Sequence, residues 1–297
     1  MNRIIFSFLI LIFSVTATAA VSVQKKYSDY GTSCSDFQIF ITDEISLQDV
    51  NGLKKSIAQI QKTAIDAPCD SGKLAVWLDS NGGDPFAAIE MGRIIRNNEL
   101  HVVVERSKKC ISSCVFLFAG GVIRVAGNDQ IGIHRPYFKN LSAGLSSKDV
   151  REKREVLNGE ILKYFKEVDV SPTLLERMLG VEPERVEFLS NSELTRYRLS
   201  LEDATYNERK TARDADEYGL TSHQYRTRFE EVKDKCESFV LSSLDKWRIC
   251  NLSIMLQISV TEAAARDKLA SLSCIEKKAV KAIKACRRSV YITGRLK

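Results

Sequence analysis

Residues 73–84, KLAVWLDSNGGD, run from an unbroken apolar stretch straight into paired glycines. An apolar run without polar alternation is buried on both faces, as in a strand inside a parallel sheet, and the glycine turn lets such a strand hand over to a helix. This pattern commits the chain to a sheet covered by helices. The flanking segments agree. DFQIFIT alternates Phe37, Ile39 and Ile41 as a strand does, and Leu47 to Ala64 carries Val50, Leu53, Ile57 and Ile60 at helical spacing. AAIEMGRIIRNN reads as the next helix and HVVVE as the next strand. Alternation of this kind predicts an α/β fold with right-handed crossovers and a mostly parallel sheet.

Further along, VIRVAG and QIGIHRP read as short strands. Ser146 to Lys166 forms a long amphipathic helix through Val156, Leu157, Ile161, Leu162 and Phe165, and Ser171-Pro172 supplies an N-cap and a proline at the first helical position of another. Near residue 222 the chain becomes helical, charged and cysteine-bearing, without strand signals. The expected organisation is a leader at 1–20, an α/β domain at 21–222 and a helical region at 223–297.

The leader, MNRIIFSFLILIFSVTATAA, places Arg3 before an apolar run and ends in small residues of the A-x-A kind. It reads as a secretory signal peptide cleaved after Ala19 or Ala20, the run being shorter than the ~20 residues a spanning helix needs. The mature chain is therefore expected in the periplasm or outside the cell, with no integral membrane segment. Its formal charge of +6 includes only Arg3 from the leader, and so mild a value on an exported chain argues against a nucleic-acid partner. The basic C-terminal stretch reads as a solvated helix face.

Eight cysteines, Cys34, Cys69, Cys110, Cys114, Cys236, Cys250, Cys274 and Cys286, suit disulfides in such a compartment. With three histidines and no paired metal-ligand motif, a metal site is not expected. Cys236 and Cys250 are close to four helical turns apart and could share one helix face; a disulfide-clamped helical hairpin is the companion expectation.

Acyl transfer by a serine needs an activated hydroxyl, a base and backbone donors for the oxyanion. Candidates for all three occur close together. Ser112 or Ser113, in CISSCVFLFAGG, follows a strand and opens an apolar helix; Gly82 and Gly83 end a buried strand; His134 closes the strand QIGIH. Asp84 reads as a helix cap, while His101 and His223, the latter in a charged linker, read as structural.

The ordered blocks IFITDEI, WLDSNGGDPFAAIEMGRII, CISSCVFLFAGG, IGIHRP, a long helix and EFLSNSELTRYRL resemble the ClpP/crotonase fold, and specifically the ClpP-like serine peptidases, over residues 36 to 200. The resemblance implies repeated strand-helix units with a helical arm. It implies Ser112 as nucleophile, with Phe116 four residues on, His134 as general base in an I-H-x-P strand, and the N–H groups of Gly82 or Gly83 and of Ser113 as oxyanion hole. It further implies a peptide or protein substrate, a homo-oligomer joined through the Ser146–Lys166 arm, and no cofactor. The family's catalytic aspartate, two residues before the aromatic of its F-L-S segment, corresponds to Val186. Glu184, Glu187 and Asp129 are the carboxylates that could replace it. The absent acid supports an alternative, a catalytically inactive scaffold or binding protein of the cell envelope. A bridge between Cys110 and Cys114 would fix the serine's turn, provided that the helix begins near Ser112.

Overall fold

The computed structural model describes residues 20–27, 35–66, 74–138, 146–240, 242–274, 276–277 and 280–295. Residues 1–19 of the expected leader, with Cys34 and Cys69, lie outside the described residues.

The apolar run becomes β3 (Ala75–Gly83), with alternate residues buried, Asn81 exposed and the others half-covered. It lies beside β2 (Ser35–Ile45), in parallel, and the sheet divides along its length. Its first half, Ala75 to Trp77, pairs with β4 (His101–Val103), whereas Ser80, further along, pairs with β5 (Cys110–Ile111). From β4 the sheet continues in parallel to β6 (Ile123–Val125), and from β5 in parallel to β7 (Ile131–Ile133). Antiparallel strands close the margins. β1 (Ala20–Tyr27) joins β2, β8 (Glu187–Phe188) joins β7, and β9 (Leu201–Glu202) joins β6. The α/β architecture of repeated strand-helix units is thus present, with a mixed sheet.

Between the diverging branches sits α3 (Cys114–Gly120), every residue of which is buried. Packing a helix this deeply requires neighbours without side chains in the way. A Cβ on Gly120 would stand 2.3 Å from the carbonyl oxygen of Gly92 in α2 (Pro85–Asn97). A Cβ on Gly92 would stand 2.0 Å from the Tyr164 hydroxyl, which donates to the Phe116 carbonyl at 2.7 Å. The glycines set how closely α2, α3 and α4 (Ser147–Glu167) approach.

α1 (Leu47–Asp66) buries Val50, Leu53, Ile57 and Ile60 as its spacing predicts. Asp84 caps α2 by accepting from the Ala87 N–H at 2.8 Å, with Pro85 at the first position. In α4, capped by a reciprocal Ser146–Asp149 pair, Leu157, Ile161, Tyr164 and Phe165 are buried, but Val156 and Leu162 are 61% and 42% exposed. At 3.6 residues per turn both lie about a third of a turn from the centre of the buried stripe, so the apolar face is narrower than expected. α5 (Thr173–Leu179) begins one residue later than its proline suggests: Pro172 occupies the cap position, and the Ser171 hydroxyl bonds that of Thr173. α6 (Asn191–Arg196) carries a second reciprocal cap, Ser190 with Glu193.

After β9 the described chain is helical: α7 (Ala204–Glu217), α8 (Ser222–Val240), α9 (Leu244–Leu256), α10 (Val260–Cys274) and α11 (Val280–Thr293). His223 lies in α8, so the charged stretch expected as linker is helix. Cys236 on α8 is bonded to Cys250 on α9, and Cys274 on α10 to Cys286 on α11. The idea of one shared helix face for Cys236 and Cys250 is therefore corrected: the bond joins successive helices, clamping a hairpin. Among the described residues one hydrophobic core runs from Ile39 to Leu199, and two smaller ones draw on residues from Tyr218 to Tyr291. Among the described residues no helix is long and apolar enough to cross a membrane.

Candidate functional site

Three parallel strands, β3, β5 and β7, point their C-terminal ends the same way, and that edge carries the glycines, the serines and His134. Backbone bonds hold the ends in register: the Ser80 N–H donates to Lys109 O at 2.9 Å, Cys110 N–H to Gln130 O at 2.8 Å, and Ser112 N–H to Gly132 O at 2.9 Å. The carboxyl edge of a parallel sheet is where open α/β folds place ligands, because the connecting loops leave a crevice there.

Ser112 sits between β5 and α3 with φ 59°, a left-handed conformation that costs a side-chain-bearing residue of order 1–3 kcal/mol. Its neighbours enforce it. Cys110 ends up in the strand and Cys114 in the first turn of the helix, joined by a disulfide with their Cα atoms 5.2 Å apart, both fully buried. Ser112 is half-buried and Ser113 buried. Gly82 (φ 96°) presses on this turn: a Cβ there would stand 2.7 Å from Ser112 Cβ and 3.0 Å from Ser113 N. At Gly83 a Cβ would stand 2.1 Å from the Ile45 carbonyl oxygen.

The two glycine N–H groups expected to face an oxyanion are engaged. Gly83 N–H donates to Ser113 Oγ at 2.7 Å, and that hydroxyl lies 3.1 Å from Gly83 O, to which it donates. Gly82 N–H donates to Ser80 Oγ at 3.1 Å, and Ser80 Oγ in turn donates to Asp43 O. Sequence reasoning missed Ser80 and the Ser113 hydroxyl as partners of these donors; the S-N-G-G spacing was the available signal for Ser80, and nothing local marked Ser113.

His134 follows β7 and is buried. Continuing the β5–β7 register by one residue sets Ser112 beside Ile133, so serine and histidine occupy adjacent strand ends, without a hydrogen bond between Ser112 Oγ and the imidazole. Nδ1 lies 3.0 Å from the Arg135 carbonyl oxygen, and the ring tilts against Tyr137 at 5.5 Å between centroids. Hydrogen bonds of a catalytic pair are often long before substrate binds.

None of the expected carboxylates is hydrogen-bonded to His134. β8 pairs Glu187 with Ile133 and Phe188 with Gly132, and the ladder ends there, the Arg135 N–H donating instead to Val181 O; Val186, just before β8, lays its Cγ1 2.7 Å from where a Cβ on Gly132 would stand. Side chains alternate along a strand, so Glu187 stands on the opposite face, where it pairs with Arg177. Glu184 is exposed in the preceding turn. Asp129 precedes β7 at its far end, more than about 10 Å from His134 along an extended strand. Exposed apolar side chains rim the edge: Tyr137, Val186 and Phe86, the last stacked on Phe138 at 6.2 Å. His223 lies elsewhere, lining an open cavity of about 530 Å³ with Lys210, Asp214 and Arg226 between α7 and α8. His101 begins β4.

No family model and no curated protein matches the chain. Among solved structures it is similar to a point mutant of 1510-N, a membrane-bound stomatin-specific protease, at 15% identity and a TM-score of 0.39, over 58% of this chain and 82% of that one.

Proposed function

We propose that the chain is an exported serine hydrolase of the ClpP-like kind, acting on peptide or protein substrates through an acyl-enzyme on Ser112. The observation that carries this reading is the left-handed Ser112, bracketed by a buried disulfide and set at a strand end adjacent to that of His134. Holding a serine in a strained turn presents its hydroxyl clear of the sheet, as a nucleophile elbow does. His134 Nε2 takes the hydroxyl proton as Ser112 Oγ bonds to the acyl carbon, then returns it to the leaving group; water repeats the cycle in reverse. Ser113 N–H and Gly83 N–H receive the oxyanion, the latter once substrate displaces the Ser113 hydroxyl. Gly82 keeps the turn open by having no Cβ. The reading needs no cofactor. The disulfides support an oxidising compartment, periplasmic or extracellular, and α4 is the arm through which copies of the chain would associate.

A second reading, a non-catalytic scaffold, is supported by one observation: none of Glu184, Glu187 and Asp129 is hydrogen-bonded to His134, whose Nδ1 contacts the Arg135 carbonyl oxygen instead. Fluorophosphonate labelling of the purified, oxidised protein separates the two. Labelling that is lost in Ser112→Ala and kept in Ser113→Ala supports the hydrolase; a folded protein that does not label supports the scaffold.

A further inference from the structure

We propose that the backbone carbonyl of Arg135 takes the place of the missing acid, and that the Arg135 side chain is the positioning residue that holds this carbonyl against His134; the proposal rests on the serine-hydrolase reading. A carbonyl oxygen can only accept, so a contact of 3.0 Å to Nδ1 requires the proton on Nδ1. That tautomer leaves Nε2 with a lone pair, the form a general base must have. An aspartate ordinarily enforces it in a serine triad.

A carbonyl can do so only if its peptide is fixed, and the structure fixes it from both sides. Arg135 N–H donates to Val181 O at 2.9 Å, Nε donates to Leu179 O at 3.0 Å, and Nη2 to Glu182 Oε1 at 3.0 Å. These acceptors belong to the turn that ends α5, where Val181 is buried and its own N–H bonds Met178 O. On the other side, buried Pro136 restricts the residue before it to extended backbone, which sets the direction of the carbonyl. The arginine thus ties the I-H-R-P segment to α5 by main-chain and side-chain bonds at once. A neutral carbonyl accepts more weakly than a carboxylate and stabilises an imidazolium less, so the base has the right tautomer with a smaller electrostatic contribution.

The test is nitrogen-15 NMR of the histidine side chains in the full oxidised protein, with His134 assigned by its loss in His134→Gln, beside the rate of fluorophosphonate labelling. The wild type is expected to show His134 with its proton on Nδ1. Arg135→Ala is expected to populate the Nε2-protonated form and to slow labelling about tenfold, and Arg135→Lys to retain most of both. Wild-type His134 protonated on Nε2, or an Arg135→Ala protein with unchanged tautomer and labelling rate, overturns the proposal, and the first result needs no variant to fold. A wild type with the Nδ1 proton that does not label overturns the hydrolase reading, and the carbonyl's catalytic role with it, while leaving the tautomer as assigned.

Discussion

The Ser113 hydroxyl occupies the Gly83 N–H, and a donor bonded to one acceptor has to release it before serving another. Removing the competitor relieves that cost. Ser113→Ala is expected to label at Ser112 a few-fold faster than wild type, in line with about 1 kcal/mol for a hydrogen bond no longer broken; a rate drop would mean the hydroxyl orders the turn instead. Gly82→Ala should do the reverse, since a Cβ 2.7 Å from Ser112 Cβ cannot be accommodated at φ 96° without moving the serine. Its expected signature is lost labelling with a lower melting temperature. The serine, the histidine and both glycines were legible in the sequence because each sits at a strand end that hydrophobic patterning reveals. What the glycine donors bond was not. That depends on the angle at which two loops meet, and neither loop encodes it alone. Val186 was legible as an absence; its side chain lies against Gly132, two residues before the histidine.

Among the elements, the buried strand-helix alternation was read with bounds close to those observed, whereas the width of the α4 apolar stripe was overestimated by counting Val156 and Leu162. Periodicity identifies a face; how much of it a neighbour covers is tertiary information. The Cys110–Cys114 bond spans one junction between elements, and the chain-entropy contribution of so small a loop is about 2 kcal/mol. Cys110→Ser with Cys114→Ser is expected to lower the urea midpoint accordingly and to reduce Ser112 labelling further than that loss of stability explains, because the left-handed turn relaxes. At the start of α7, buried Asp203 caps the helix at Tyr206 N and meets Arg96 at 2.9 Å. Burial alone would raise its pKa, but the Arg96 and Tyr206 hydrogen bonds outweigh this and hold it below the usual carboxylate range. A depressed folded-state value means stability present above the unfolded pKa and lost as pH falls through the folded one. The gap in unfolding free energy between wild type and Asp203→Ala is expected to be about 3 kcal/mol near neutral pH and to shrink below about pH 4.

At the scale of the molecule, the expected division at 222 leaves Tyr218 on one side and the ring it stacks on, Tyr291 at 6.4 Å, on the other; Arg288 likewise reaches back to Asp216 at 2.8 Å. Composition marks where strands stop, but α7 packs with helices on the far side of that mark. All three described disulfides join cysteines that are nearest neighbours in sequence, with separations of 4, 14 and 12 residues. In the exported chain proposed above, threaded N-terminus first through a pore, each of these six thiols meets its partner before any later one of the six emerges. Oxidation in order of emergence therefore favours these three pairs over crossed ones among the same six cysteines.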